Sequence, residues 1–246
     1  MEPIALITGA GRGIGAATAV ELGGRGYHVI VNYRTDAAAA ASVVKRIEAA
    51  GGTGRAVRAD VRDPAEVAAL LDGCPRLDVL VCNANISPPF GPLAGMSWEE
   101  FAGKVTGELA AVYHVTRRVL ALMGEQGRGG RIVYVSSLSA GLTRPGAIAH
   151  ASAKAALDAF ARHVAMEAGP GGTAVNVVAP GAVRTEGTAA MRTPEVERGL
   201  ARRSVLGRML EPEDVAAVIG SLVDGGFGAV TGARIPVDAG HRVLPA

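Results

Sequence analysis

The sequence predicts an α/β domain built on a doubly wound, seven-stranded parallel sheet. Short, continuously apolar runs alternate with longer helical patterns along the whole chain. The first of these runs ends in a glycine-rich turn that opens a helix. At 246 residues the chain suits one large domain able to bury a sizeable core.

The first strand is expected at 4–8, followed by the turn Thr8-Gly9-Ala10-Gly11-Arg12-Gly13-Ile14-Gly15 and a helix. A second strand at 28–32 leads into the alanine-rich stretch 37–41, which reads as a helix start and not a spacer. A third strand is expected at 56–60, after which Asp63-Pro64 places proline at a first helical position. The fourth strand, 79–82, precedes Ser97-Trp98-Glu99-Glu100, a capping box opening a long helix near 97–123. Strand 131–136, a helix at 146–168, strand 174–178, a helix begun by Glu211-Pro212 and strand 234–237 complete the series. Continuous hydrophobicity in the strands suits a parallel sheet covered on both faces. With no repeat, linker or composition shift, the expectation is a single domain over 1–246.

Composition narrows the function classes. Net charge is +2 with no basic stripe, so nucleic acid is not an expected partner. Cys74 and Cys82 form no metal-ligand pattern, and the five histidines lack zinc spacing, so no metal site is expected. No apolar run reaches membrane-spanning length and no basic leader precedes the first strand, which gives an expectation of a soluble, cytoplasmic protein without membrane contact. The only lysines are Lys45, Lys104 and Lys154, and the first two have no motif around them.

The glycines at 9–15 allow a tight turn and close backbone approach to a pyrophosphate on the helix N-terminus, although a purely structural turn looks similar. The pattern Thr-Gly-x-x-x-Gly-x-Gly resembles that of the short-chain dehydrogenase/reductases, in particular the bacterial 3-oxoacyl-carrier-protein reductase type, and the resemblance extends over nearly the whole chain. It implies a Rossmann-type nicotinamide-nucleotide site in which Gly9, Arg12, Gly13, Ile14 and Gly15 surround the phosphates. The segment Asn32-Tyr33-Arg34 lacks the acidic residue that marks NAD, so Tyr33 and Arg34, with Arg12, imply a 2′-phosphate and NADP(H). The alternative is that both arginines are solvated surface charges. By the same resemblance Asp60 and Val61 are adenine contacts, and Asn83, Ala84 and Asn85 lie beside the ribose. Asn85 stands where the family has glycine, and a left-handed backbone there is expected, since asparagine tolerates it. Pro180, Gly181, Val183 and Thr185 resemble the nicotinamide carboxamide loop.

The resemblance breaks at the chemical end. The family uses Ser, Tyr and Lys with an Asn from the preceding long helix. Here Ser137 lies 13 residues before position 150 and Lys154 four after it, matching the family's offsets, but position 150 is His150 and Glu108 replaces the Asn. His150 and Lys154 share a helix face. Three readings stand open. In one, His150 is the proton donor of a ketone reductase, an imidazolium disfavoured by Lys154 and supported by Glu108. In another, Glu108 and His150 run non-redox acid/base chemistry such as dehydration, isomerisation or cyclisation. In the last, the chain is a catalytically inactive nucleotide-binding subunit. The plain alternatives are a pocket-lining ring without chemistry for His150 and an ordinary salt bridge to Lys154 for Glu108.

The resemblance implies a small-molecule or carrier-bound carbonyl substrate, 3-oxoacyl or polyketide-like. Substrate choice is expected in the segment 185–204, where Arg192, Arg198, Arg202 and Arg203 either meet an acidic carrier or coenzyme A or are simply solvated. A homotetramer, or a dimer, is expected through the two long helices, with Ala155, Ala156, Ala159 and Ala165 allowing close approach.

Overall fold

In a computed structural model, which describes residues 2–243, seven strands form one sheet in the order β3-β2-β1-β4-β5-β6-β7. They are β1 (Ile4–Ile7), β2 (His28–Tyr33), β3 (Thr53–Arg58), β4 (Val79–Cys82), β5 (Arg131–Val135), β6 (Ala174–Pro180) and β7 (Arg234–Val237), and every pairing is parallel. The helices are α1 (Gly13–Gly24), α2 (Ala37–Ala49), α3 (Pro64–Leu70), α4 (Trp98–Gln126), α5 (Ile148–Ala168), α6 (Pro194–Arg202) and α7 (Pro212–Val223).

The side-chain alternation of a strand divides the core in two. Leu6, Ile30, Leu80 and Ile132 pack toward Val67 of α3, Val115 and Met123 of α4 and Leu157 of α5. Ala5, Ile7, Val29, Val31, Val79 and Val81 pack the opposite way, onto Ala16, Val43 and Ile219 of α1, α2 and α7. Both faces are covered, as continuous apolar strands require.

The expected helix starts form with their side-chain caps. Ser97 and Glu100 make the capping box of α4, and Asp63 accepts from the Ala65 and Glu66 amides before Pro64. Asp36 caps α2 by accepting from Ala39 at 2.9 Å. No helix among the described residues is long and apolar enough to cross a membrane.

Two expectations need correction. The third strand runs Thr53–Arg58 and not 56–60, and only Gly54 and Val57 of it are even half-buried. It is the sheet edge, paired on one side only, and its start is set by register with β2, from His28↔Thr53 to Tyr33↔Arg58. Asp60 therefore lies beyond the strand. Ala165 belongs to the core between α5 and the sheet, so it does not face outward; Ala155 is exposed and Ala159 half-buried. The segment 185–204 holds a 3-10 turn at Glu186–Met191 and then α6.

Candidate active site

The strand order reverses between β1 and β4, and their C-terminal ends open a crevice there. Thr8 ties the two loops together. Its Oγ1 accepts from the Asn83 and Ala84 amides, each at 3.0 Å. Asn83 Nδ2 donates in return to the Thr8 and Gly9 carbonyls at 3.0 and 3.1 Å. At Gly9, φ is +61° and a Cβ would come within 2.9 Å of Ala84 Cα. At Gly15 a Cβ would fall 2.4 Å from Asn83 Nδ2 and 2.7 Å from the Gly9 carbonyl. Both positions thus require glycine for space, and Gly9 for its backbone as well. Asn32 finishes the cradle: its Oδ1 accepts the Gly9 amide at 3.2 Å, while its Nδ2 donates to the Ala59 carbonyl at 3.0 Å.

The segment after β6 meets this cradle. Gly181 donates to the Val237 carbonyl at 2.8 Å, and Val183 bridges to Leu210, which leads the chain to Thr185 beside Gly13. The Gly13 amide, at the start of α1 next to Ile14, donates to Glu186 Oε2 at 3.1 Å. A carboxylate thus already sits on the helix N-terminus, where partial positive charge favours anions. Arg12 is exposed at the N-cap of α1. Arg34 is exposed at the end of β2, 4.0 Å from Asp60, while Tyr33 is half-buried. Asp60 is bound chiefly by Arg62, whose hydrogen bonds outweigh burial and hold the Asp60 carboxyl at about 2. The Val61 side chain is buried in the core.

Ser137 follows β5. Its Oγ accepts the Ser139 amide at 3.1 Å, and its carbonyl accepts from Arg234 Nη2 at 2.8 Å. Arg234 is itself ion-paired to Asp158 of α5 at 2.7 Å, so β7 and α5 jointly fix the serine's backbone. Neither residue was legible as part of the site, because 76 residues separate the pair.

His150 and Lys154 lie one turn apart on α5. Lys154 Nζ donates to the Val135 carbonyl at 2.8 Å and ion-pairs with Glu108 Oε1 at 2.6 Å. Glu108 Oε2 accepts from Lys104 Nζ at 2.5 Å and from the Ile86 amide at 3.2 Å. Lys104 also donates to Asn85 Oδ1 at 2.9 Å and to the Ile86 carbonyl at 2.7 Å, so its three protons all have acceptors. These three charged side chains are sealed from solvent, with Lys104, Glu108 and Lys154 only 2%, 1% and 3% exposed.

Lys104 is the residue sequence reasoning missed. The available signal was its place four residues before Glu108 on one helix, a spacing at which opposite charges pair. Asn85 also corrects its expectation. Ala239 is the only non-glycine described residue with positive φ, so Asn85 is not left-handed. Its side chain instead anchors Lys104, which explains why a glycine would not serve there.

Burial alone would raise the Glu108 carboxyl, but the Lys154 and Lys104 charges overcome it and hold the group at about 2. His150 moves the other way relative to its needs as a cation. Burial first, then the Lys154 and Lys104 ammoniums, with Arg144 adding to them, press its imidazolium down to about 4 against the opposing Glu108 charge. The ring is therefore neutral at pH 7 and not the expected imidazolium: Glu108, shared between two lysines, offsets only part of the surrounding positive charge. His150 Nδ1 is buried without a protein hydrogen-bond partner, and the ring lies tilted against Phe90 at 6.2 Å between centroids.

Similarity to known proteins gives the family. The family profile described as enoyl-(acyl carrier protein) reductase matches residues 9–242. The chain belongs to the short-chain dehydrogenase/reductase family. It is 37% identical to a 3-oxoacyl-[acyl-carrier-protein] reductase of Synechocystis sp. over 96% of each chain. Its fold matches a short-chain type dehydrogenase/reductase from Mycobacterium marinum with a TM-score of 0.92 and 28% identity, covering 98% of this chain and 96% of the other. It also matches the angucycline C-6 ketoreductase LanV, solved with bound NADP, with a TM-score of 0.90 and 34% identity over 98% and 96% of the two chains. The short-chain dehydrogenase/reductase described here is thus an oxidoreductase of a family that works with a nicotinamide cofactor.

Proposed function

We propose that this chain is an NADPH-dependent reductase of a 3-oxoacyl or polyketide-like ketone, free or carrier-bound, with Ser137, His150 and Lys154 as its catalytic residues and Glu108 set behind Lys154. What supports this reading is that Lys154, one turn after His150 on α5, is tied to the Val135 carbonyl at the end of β5, two residues before Ser137. The named activities of two relatives, a 3-oxoacyl reductase and an angucycline ketoreductase, support it.

Two features support the fit to the cofactor: the Gly13 amide already holds a carboxylate, and Gly9 and Gly15 let the turn pack closely on Asn83 and Ala84 at the start of α1. In this reading Gly9, Arg12, Gly13, Ile14 and Gly15 hold the phosphates, with Glu186 yielding its place on Gly13. Tyr33 and Arg34 take the 2′-phosphate, Asp60 and Val61 the adenine, and Asn83, Ala84 and Asn85 line the adjacent ribose. Pro180, Gly181, Val183 and Thr185 hold the carboxamide, Lys154 the other ribose. The bound dihydronicotinamide supplies the hydride.

Ser137 orients the substrate carbonyl and His150 gives its proton to the developing alkoxide. A neutral imidazole can do this because the ammoniums that suppress its imidazolium also favour loss of its remaining N–H proton. The product alcohol then carries one hydride on carbon and one proton on oxygen, and the imidazolate left at His150 takes a proton back from water. The test is NADPH oxidation, followed by absorbance, in the presence of 3-oxoacyl thioesters and aromatic polyketones. Substrate conversion without NADPH oxidation would instead support the non-redox reading.

Two further results are expected. NADPH should bind more tightly than NADH, and Arg34→Asp should reverse the order by removing a charge-assisted contact, a change of about 10–100-fold by calorimetric titration. Equal binding of both cofactors by the unmodified protein refutes the assignment of Arg34. A homotetramer is expected because two separate faces expose apolar side chains: Tyr113 and Met166 on α4 and α5, and Phe227 beside α7 and β7. A stable monomer in light scattering at micromolar concentration refutes that. Both cysteines are free and buried, consistent with a cytoplasmic setting.

A further inference from the structure

We propose that Lys104 is a positioning residue of this site: its buried ammonium cancels the Glu108 carboxylate, so that His150 meets the undiminished positive charge of Lys154. The inference rests on the reading in which His150 is the proton donor.

The geometry is specific. Glu108 lies between two ammoniums, at 2.6 Å from Lys154 and 2.5 Å from Lys104. With Lys154 as its sole partner, Glu108 would leave the pair neutral. With both lysines the cluster carries a net single positive charge. Lys104 has no route to solvent, and its remaining protons are held by Asn85 Oδ1 and the Ile86 carbonyl, on the loop that also borders the cofactor crevice. An arrangement built only to bury Glu108 would be complete with Lys154. The second lysine adds a buried charge, at a desolvation cost, and that charge is felt at His150.

The groups facing His150 come from three elements. Lys154 lies on α5, Lys104 and Glu108 on α4, and Arg144 on the segment before α5. Phe90 packs on the ring from the loop after β4, with the Arg144 guanidinium 5.1 Å above its centroid. Of these charges only Glu108 supports the imidazolium, and Lys104 opposes it both directly and by occupying Glu108.

The test is an NMR titration of His150 in the full-length protein, with its signal assigned by loss in His150→Phe. Lys104→Met leaves Glu108 with Lys154 alone, and the His150 pKa is expected to rise by about one unit, the scale of a nearby uncompensated charge. Lys104→Met/Glu108→Gln removes both charges together, and His150 should return to within about 0.3 units of the unmodified protein. The pH at which kcat/KM changes as His150 titrates should follow the same pattern, moving up in the single variant and back in the double. A single variant that is less stable but titrates like the unmodified protein overturns the proposal, because that is a purely structural lysine. If Lys104→Met does not fold, the double variant decides: His150 titrating away from its unmodified value there overturns the proposal. The titration needs no turnover, so an absence of ketone reduction would sink the functional reading while leaving Lys104's effect on His150 separately measured.

Discussion

His150→Phe is expected to lower turnover by about 10²–10⁴-fold, the usual contribution of a positioned acid or base, while NADPH affinity changes by less than about twofold. Phenylalanine retains the packing against Phe90 and removes only the ring nitrogens. Cofactor contacts assigned to Lys154 and the glycine cradle are left in place, so the loss should fall on kcat and not on binding. His150→Tyr sharpens the result. It places a phenol one helical turn before Lys154, the arrangement that the family resemblance implies, and retained or higher ketone reduction in that variant marks a reductase site. Full activity of His150→Phe on the true substrate would show that the proton comes from elsewhere.

The pH dependence follows from the direction of the His150 shift. Its imidazolium is held at about 4, below the ordinary 6.5, so kcat/KM should be flat through the region where an ordinary histidine titrates. The same shift bears on stability. Between these two values the unfolded chain binds a proton that the folded chain refuses, so His150's contribution is complete above 6.5 and is lost as pH falls toward 4.

Much of the fold was readable because it is written in local patterns. Strand periodicity, the Ser97 capping box and the proline starts each depend on neighbours in sequence, and they reappear in place. The strand at 53–58 was misplaced because an edge strand with half-exposed residues carries little apolar signal, and its register is set by β2. At the site, spacing brought His150 and Lys154 onto one helix face and pointed to Ser137 and Glu108. Spacing also allowed the salt bridge from Glu108 to Lys154, which forms, but it did not supply the second lysine. Glu108 looked available to His150 until Lys104 was found on its other oxygen. Asn85 was read for its backbone tolerance, whereas its contribution is a side-chain oxygen offered to a lysine 19 residues away. The protonation state of His150 depends on all of these at once, and no single segment contains it.

Glu108→Ala should be the most destabilising single change at the site. It leaves the Lys104 and Lys154 ammoniums buried near one another with no counter-charge, and it strips the Ile86 amide of its acceptor. Removing one partner of a buried ion pair costs about 3–5 kcal/mol, because the remaining charge has lost its compensation without regaining water. For a chain of this size each kcal/mol is worth about 2–4 °C, so the midpoint of thermal unfolding should fall by roughly 6–20 °C. Surface pairs give a useful contrast. Arg208→Ala removes an exposed bridge to Asp214 and is expected to cost less than about 1 kcal/mol. The pH dependence separates charge from packing. The Glu108 carboxyl is held at about 2, below its ordinary 4.5, so its contribution is present above 4.5 and lost as pH falls toward 2. The stability gap between the unmodified protein and Glu108→Ala should therefore be widest near neutral pH and narrow as the solution is acidified below 4.5, read as urea midpoints at a constant m-value. A gap that stays constant with pH would mean that the glutamate's side-chain volume, and not its charge, holds this part of the molecule together.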